Sequence, residues 1–513
     1  LISLKSFHVD FTLFALLINM TYHGDNTQFP NNPDLNIPLE TRELVDARSC
    51  SINDNLIDKT ERDDAEGRQR QAVPKWLRYR PSPRDIKSQL VARLPRFLRP
   101  ATIRTTKSLP PTAYLDAVRG YAAWLVFLAH TYKDQQWRWT NAPFLSVLIN
   151  AEGMVALFFV ISGYVLSYRL LIHTHNRSSE QLLNSLASST FRRGMRLYGS
   201  ATVALFIVLV MMRLGWFDED GLRLPSLVDQ LVDWTWTLVE FLNPFGDIRG
   251  YYGDDRVHNK YLGPMWTIPV EFRGSMILFI YVAATCKLRP RTRMILTWVS
   301  IIACYAWHVI YVAEFLMGMF IAEVGLMRHP ERLSSSRIMA YIGPPKPTAQ
   351  SMTSKISYTL LFVGGIFLLG QPSGTNLQWF GDWPWAFLKS WIPASCDYGG
   401  RLFWYLSIGA SLTVLSLEMY PALQTPLKYG WSQYVGDLSF GLYALHPPIV
   451  ITVFRQWYEP MRIETFGDGL LSHVPGLVLI HLLVFSAGDY FSMLDKRVVR
   501  MGRWMQEQFF EKW

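Results

Sequence analysis

From residue 112 onward the chain is a succession of apolar runs, each close to the length that crosses a bilayer. They lie near 114–132, 152–172, 198–216, 264–286, 294–309, 310–327, 355–371, 402–420, 434–457 and 470–491. This spacing predicts an all-α fold, a polytopic membrane helical bundle of about 10 transmembrane helices. Composition agrees: half the residues are hydrophobic and only 18% are charged, against about 25% in an average soluble chain. The pair 294–327 needs a tight turn, placed near His308. The stretch "LVDQLVDWTWTLVEFL" (227–242) is amphipathic and reads as interfacial or re-entrant, not as a crossing.

The net charge of +9 does not point to nucleic acid, because no recognised binding motif accompanies it. The basic residues instead sit in short clusters between apolar runs. "YRLLIHTHNR" with "FRRGMRLY", "KLRPRTR" (287–293), "MRHPERLSSSR" (327–337) and "DKRVVRMGR" (495–503) all fall on one side of a ten-span scheme. Positive residues collect in cytoplasmic loops, so both termini are expected in the cytosol. Residues 1–108 read as a polar, largely disordered cytosolic region. Within it "FTLFALLINM" (11–20) is too short for a confident span, and "DIKSQLVARLPRFL" suggests a short helix. The expected division is therefore 1–108, a membrane domain at 109–495, and a cytosolic tail at 496–513. The four cysteines, Cys50, Cys286, Cys304 and Cys396, form no CxxC pair or zinc spacing, and no metal site is expected.

Ionisable groups are costly near hydrocarbon, so those inside the runs draw a functional reading. "YLDAVRGYAAWLVFLAH" (114–130) carries Asp116, Arg119 and His130. Arg119 and His130 are about three turns apart, within roughly 20° of one face and about 16 Å along the axis. Asp116 shares that face, and Gly120 lets another backbone come close. The bland alternative is a snorkelling Arg119 and a packing His130. Glu271, about nine residues into the fourth run, is expected at a depth similar to His130. A carboxylate beside a histidine makes a general-base pair; the alternative for Glu271 is an ion pair with an arginine. Arg192, Arg193 and Arg196 crowd the cytosolic mouth of the third run. They mark the positive side, and their guanidinium forks also suit phosphate. His446 precedes two prolines inside a run, which is expected to break the helix. There is no Walker loop, GxSxG elbow or GxGxxG after a strand.

These motifs, in this order, resemble the acyltransferase 3 family of multi-pass membrane acyltransferases. "LDAVRGYAAWLVFLAH" looks like its first helix, "FFVISGYVLS" (158–167) like its second, and "FRRGMRLY" like its arginine motif, with Gly199 where the family often has Pro. "MWTIPVEF" (265–272) looks like its Trp-to-Glu motif, and "LSFGLYALHPPIV" (438–450) like its Tyr-His-Pro motif. The similarity runs from about 112 to 495 and resembles the fungal branch. It implies transfer of an acyl group, commonly acetyl, from cytosolic acyl-coenzyme A to a hydroxyl of a carbohydrate, lipid or secondary metabolite. Acetyl-coenzyme A would be a donor substrate, with no permanently bound cofactor. By the same resemblance His130 is catalytic, Arg119 supports it or steadies the donor, Arg193 and Arg196 hold coenzyme phosphates, and Glu271 orients or polarises. Ser162 or Arg119 is a candidate oxyanion donor. Direct transfer and an acyl-histidine relay both remain open. The competing class is a proton-coupled secondary transporter using His130, Glu271 and His446. The internal repeats such a protein often carries are not visible here.

Overall fold

The computed structural model describes residues 94–99, 109–132, 142–217, 221–243, 259–333, 350–372, 383–396, 398–467 and 469–510. The chain divides into two units, Leu1–Thr102 and Ile103–Trp513. In the first, Arg96–Leu98 form a 3-10 turn. The expected disordered region at 1–108 lies almost wholly outside the described residues.

Among the described residues the second unit is helical and contains no strand. In chain order its helices are α1 (Ala113–Thr131), α2 (Ala151–His175), α3 (Ser179–Gly194), α4 (Ser200–Arg213), α5 (Leu227–Phe241), α6 (Thr267–Thr285), α7 (Pro290–Ala306) and α8 (Ile310–Arg328). They are followed by α9 (Met352–Leu369), the five-residue α10 (Trp385–Lys389), α11 (Tyr398–Met419), α12 (Gly430–Ile449), α13 (Glu459–Phe466) and α14 (Val474–Phe509). Helices stand at all ten expected places. Eight described helical rods are long and apolar enough to cross a membrane, and the chain is a membrane protein with an all-α polytopic bundle. The other two places are α1, whose apolarity is lowered by Asp116, Arg119 and His130, and α7, with 17 residues. The turn between α7 and α8 falls where expected, and His308 takes it with φ 61°.

Three rods are much longer than a span, and the one at Gly430–Phe466 has 37 residues. A π-helical turn at Met195–Gly199 joins α3 to α4, giving 35 continuous residues. α14 has 36 residues, about 54 Å of helix against a hydrocarbon core of about 30 Å. Residues 496–509, expected from sequence as a tail, are the far end of this helix and pack on α3. Phe191 meets Phe510 edge-on there, and Ser188 bonds Gln506.

α5 is not among the crossing helices, and it leaves Val228, Val232, Trp236 and Val239 exposed in one stripe. Its polar side is tied to the segment before α6. Tyr261 donates to Asp233 Oδ2 at 2.6 Å and Lys260 Nζ to Oδ1 at 2.5 Å. Burial alone would raise the Asp233 carboxyl, but these two bonds outweigh it and hold it below the usual carboxylate range.

α1 sits in the interior, flanked by α2 and α12. Gly120 and Gly436 make the α1–α12 contact backbone to backbone: a Cβ on Gly436 would stand 2.6 Å from the Asp116 carbonyl oxygen. A side chain at either glycine has no room to shift, because its neighbour is main chain. Gly120→Val is therefore expected to destabilise the bundle by about 1–3 kcal/mol or more, read as a fall in Tm of the solubilised protein. An unchanged Tm would show that the helices are not held at this distance.

Two buried acids lock the ends of neighbouring helices. Glu418 accepts from Tyr114 (2.7 Å), Tyr164 (3.0 Å) and Arg332 (2.5 Å). Glu323 accepts from Arg293 (2.6 Å) and lies 2.9 Å from His175. Both carboxylates have their charge matched inside the protein, as buried ions require.

Candidate active site

The close glycine contact sets the register of two parallel helices. Gln433 bonds the Ala113 carbonyl near the start of α1, and Gly436 abuts Asp116 and Ala117 further along. His130 lies ten residues beyond Gly120, and His446 ten beyond Gly436, so both reach the same level. Their rings stack with centroids 5.2 Å apart and planes 22° from parallel. Phe127 and Tyr443 flank the His446 ring edge-on.

His446 is fully buried, and its Nδ1 lies 2.9 Å from the Leu442 carbonyl oxygen. A carbonyl only accepts, so Nδ1 of the neutral ring carries the hydrogen and Nε2 offers a lone pair. That Nε2 is buried and has no hydrogen-bond partner among the described residues. Pro447 and Pro448 do not break the helix as the sequence suggested. α12 runs through them to Ile449, then widens into a π-helix at Val450–Tyr458 before α13. A wider turn is one of the adjustments by which membrane helices carry proline. It brings Arg455 to the end of α1, where Nη2 donates to the His130 carbonyl at 2.8 Å.

Glu271 is not level with the histidines. The Thr267 and Tyr443 hydroxyls are 2.6 Å apart, and Tyr443 also bonds the Pro264 carbonyl. The start of α6 therefore lies beside Tyr443, one turn before His446. Glu271 is a further turn away in the other direction, giving an axial offset from the histidines of about 10 Å. Counting inward from Leu262 misplaced it because residues 263–266 are a 3-10 turn already inside the bundle. Arg193 bonds Glu271 Oε1, and Ser162 donates to the same oxygen at 2.5 Å. This is the ion-pair alternative foreseen for Glu271. Ser162 spends its hydroxyl hydrogen there, which removes it as an oxyanion donor.

Around this ion pair gather the remaining expected residues. Arg119 and Arg196 lie within electrostatic reach of Arg193 and of each other. Arg119 Nη1 is 3.9 Å from Asp116, the outer limit of an ion pair, and its buried Nε has no partner among the described residues. Asp116 is 57% exposed, so it damps the Arg119 charge only weakly. Arg193 also donates to Ser275 at 2.9 Å, which leaves Arg196 as the exposed member of the group. Arg192 faces away from this cluster. It donates from Nε to the Ser188 carbonyl at 3.2 Å.

The sites thus fall in two tiers on α1. Guanidinium groups surround Arg119 near its start, and a two-imidazole pocket surrounds His130 near its end. Sequence reasoning singles out the ionisable members except Arg455; it does not single out Ser275, Phe127 or Tyr443, and it undervalues His446. Only the ten-residue interval shared by Gly120–His130 and Gly436–His446 could have revealed the pairing.

The acyltransferase domain model of the family Acyl_transf_3 matches residues 112–488, well over half of the chain and all of both tiers. The chain is 29% identical over 441 residues to the O-acetyltransferase PaAT-1 of Phomopsis amygdali, covering 79% of this chain and 86% of that protein. It is 22% identical over 441 residues to the acyltransferase clz18 of Cochliobolus lunatus, covering 74% and 91% respectively. With the acyltransferase R4 of a Phoma species the identity is 23% over 433 residues, covering 70% and 90%. No solved structure matches. With its motifs in order and the domain matched along its length, the chain is an acyltransferase belonging to the acyltransferase 3 family.

Proposed function

We propose that the protein is a membrane O-acyltransferase that moves an acetyl group from cytosolic acetyl-coenzyme A to a hydroxyl of a small metabolite. A carbohydrate or lipid hydroxyl is the same chemistry on another acceptor. The observation that carries this reading is the pair of stacked imidazoles on the same helix as a guanidinium cluster. One tier suits proton transfer, and the other suits an anionic donor. The name of the Phomopsis relative supports acetyl transfer to oxygen, and the distribution of Lys and Arg supports cytosolic termini.

In this mechanism His130 removes the hydroxyl proton as the acceptor oxygen attacks the thioester carbon. The carbon–oxygen bond forms, the carbon–sulfur bond breaks, and the imidazolium returns its proton to the departing thiolate. His446 stacks on that ring and positions it, its own tautomer fixed by Leu442. Arg119 and Arg196 face the phosphates of the donor, and the Arg193–Glu271–Ser162 group braces α2, α3 and α6 against one another between the two levels.

Membranes carrying the protein, supplied with labelled acetyl-coenzyme A and an acceptor extract, should yield labelled ester and free thiol. Failure of every acyl-coenzyme A tested across broad acceptor extracts would overturn the reading. His446→Gln is expected to lower kcat about tenfold, short of the 10²- to 10⁴-fold of losing a general base outright, with KM for the donor unchanged. An unaltered kcat would remove His446 from the pocket's function.

A further inference from the structure

α3 and the far half of α14 extend beyond the apolar part of their rods as an antiparallel pair. A Cβ on Gly199 would touch Val498, one on Gly502 would touch Met195, and Ser188 Oγ donates to Gln506 Oε1 at 3.2 Å. This register places Arg192 opposite Arg503. Arg169, near the end of α2, is the other cation whose charge acts on Arg192. Arg169 and Arg503 are exposed, and Arg192 is half-buried. Among the described residues none of the three has an acidic partner. Positive-side topology explains basic residues anywhere on this end, and here the α3–α14 register further sets Arg192 against Arg503, with Arg169 near enough for its charge to act on Arg192. The buried guanidiniums of Arg193 and Arg293 are by contrast matched internally, by Glu271 and Glu323. A convergent set left unmatched suits an anion from outside, and guanidinium forks suit phosphate oxygens best. Arg503 also lies beyond the 112–488 segment shared with the family.

We infer that Arg169, Arg192 and Arg503 form an outer clamp for the 3′-phosphate of the acyl-coenzyme A donor. The inner Arg119 and Arg196 are then left for its diphosphate. The inference rests on the donor proposed above. Arg169 lies seven residues from Ser162 on α2, about 10 Å of helix. A donor anchored in the clamp would lay its extended pantetheine arm past the Ser162–Glu271 level toward the histidines.

The test compares acetyl-coenzyme A with acetyl-3′-dephospho-coenzyme A, using full-length protein in discs of phosphatidylcholine alone and with added anionic lipid. Wild type should prefer the 3′-phosphorylated donor in kcat/KM by roughly 10- to 100-fold, the scale of charged hydrogen bonds. Arg503→Gln and Arg169→Gln should each shrink that preference, through KM and not kcat. Arg497→Gln removes the same charge from another face of α14 and should keep the preference. Three outcomes would overturn the clamp: no wild-type preference, an equal loss in Arg497→Gln, or an Arg503→Gln effect confined to anionic discs. The last would make the cluster a lipid-headgroup site. Absence of transfer from either donor would instead defeat the acyltransferase donor reading itself, so the two failures are distinguishable.

Discussion

His130→Ala should reduce acetyl transfer by about 10²- to 10⁴-fold, the range lost with a positioned general base. The loss should fall on kcat, since the guanidinium tier that faces the donor lies about 16 Å away along α1. Fold should survive, because alanine keeps the helix and the Arg455 bond goes to the backbone carbonyl of residue 130, which remains. The measurement is a kinetic comparison of wild type and variant in the same membranes, together with Tm of the solubilised proteins. Transfer at an unchanged rate would remove His130 from the chemistry. Lost transfer accompanied by a large fall in Tm would mark it as a packing residue.

The second large effect concerns the Arg193–Glu271 pair, whose side chains are 8% and 13% exposed. Removing either partner alone leaves a buried charge unmatched, which costs about 3–5 kcal/mol. Arg193→Met and Glu271→Met should each lower Tm sharply and reduce the yield of folded protein. Replacing both together leaves no orphaned charge and should recover most of the stability, since apolar replacement of a buried pair is often neutral. Activity in the double variant decides the pair's role. Restored stability with restored activity would make it a brace; restored stability with lost activity would place Glu271 or Arg193 in contact with the donor. Single variants as stable as wild type would mean that the pair is not desolvated.

Much of this architecture was legible in the sequence because hydrocarbon imposes a simple rule on length and polarity. The runs from 152–172 to 470–491 announced their helices, and the hinge at His308 came from a run too long for one crossing. Family resemblance supplied the reading of His130 and the arginine motif. Depth was harder. Glu271 was counted inward from an assumed membrane face, yet the 3-10 turn at Gly263–Trp266 already lies within the bundle, and the Thr267–Tyr443 contact fixes the true level. Pairing between distant helices was harder still. Glu418 meets Tyr114 and Tyr164 across more than 250 positions, and nothing local to those residues signals it. The stacking of His446 on His130 was hidden for the same reason, although the matching glycine intervals carried it in principle.

The π-helical stretch Val450–Tyr458 gives this protein an unusual sensitivity to counting. A widened turn holds a surplus residue relative to an ordinary α-helix, and each added residue rotates the rest of the helix by about 100°. Arg455 reaches the His130 carbonyl only in that phase. Deleting a single amino acid there would relax the stretch to regular geometry, yet it would swing the guanidinium off the first helix. Conservative substitutions should pass quietly through this region, whereas insertions and deletions of one should not.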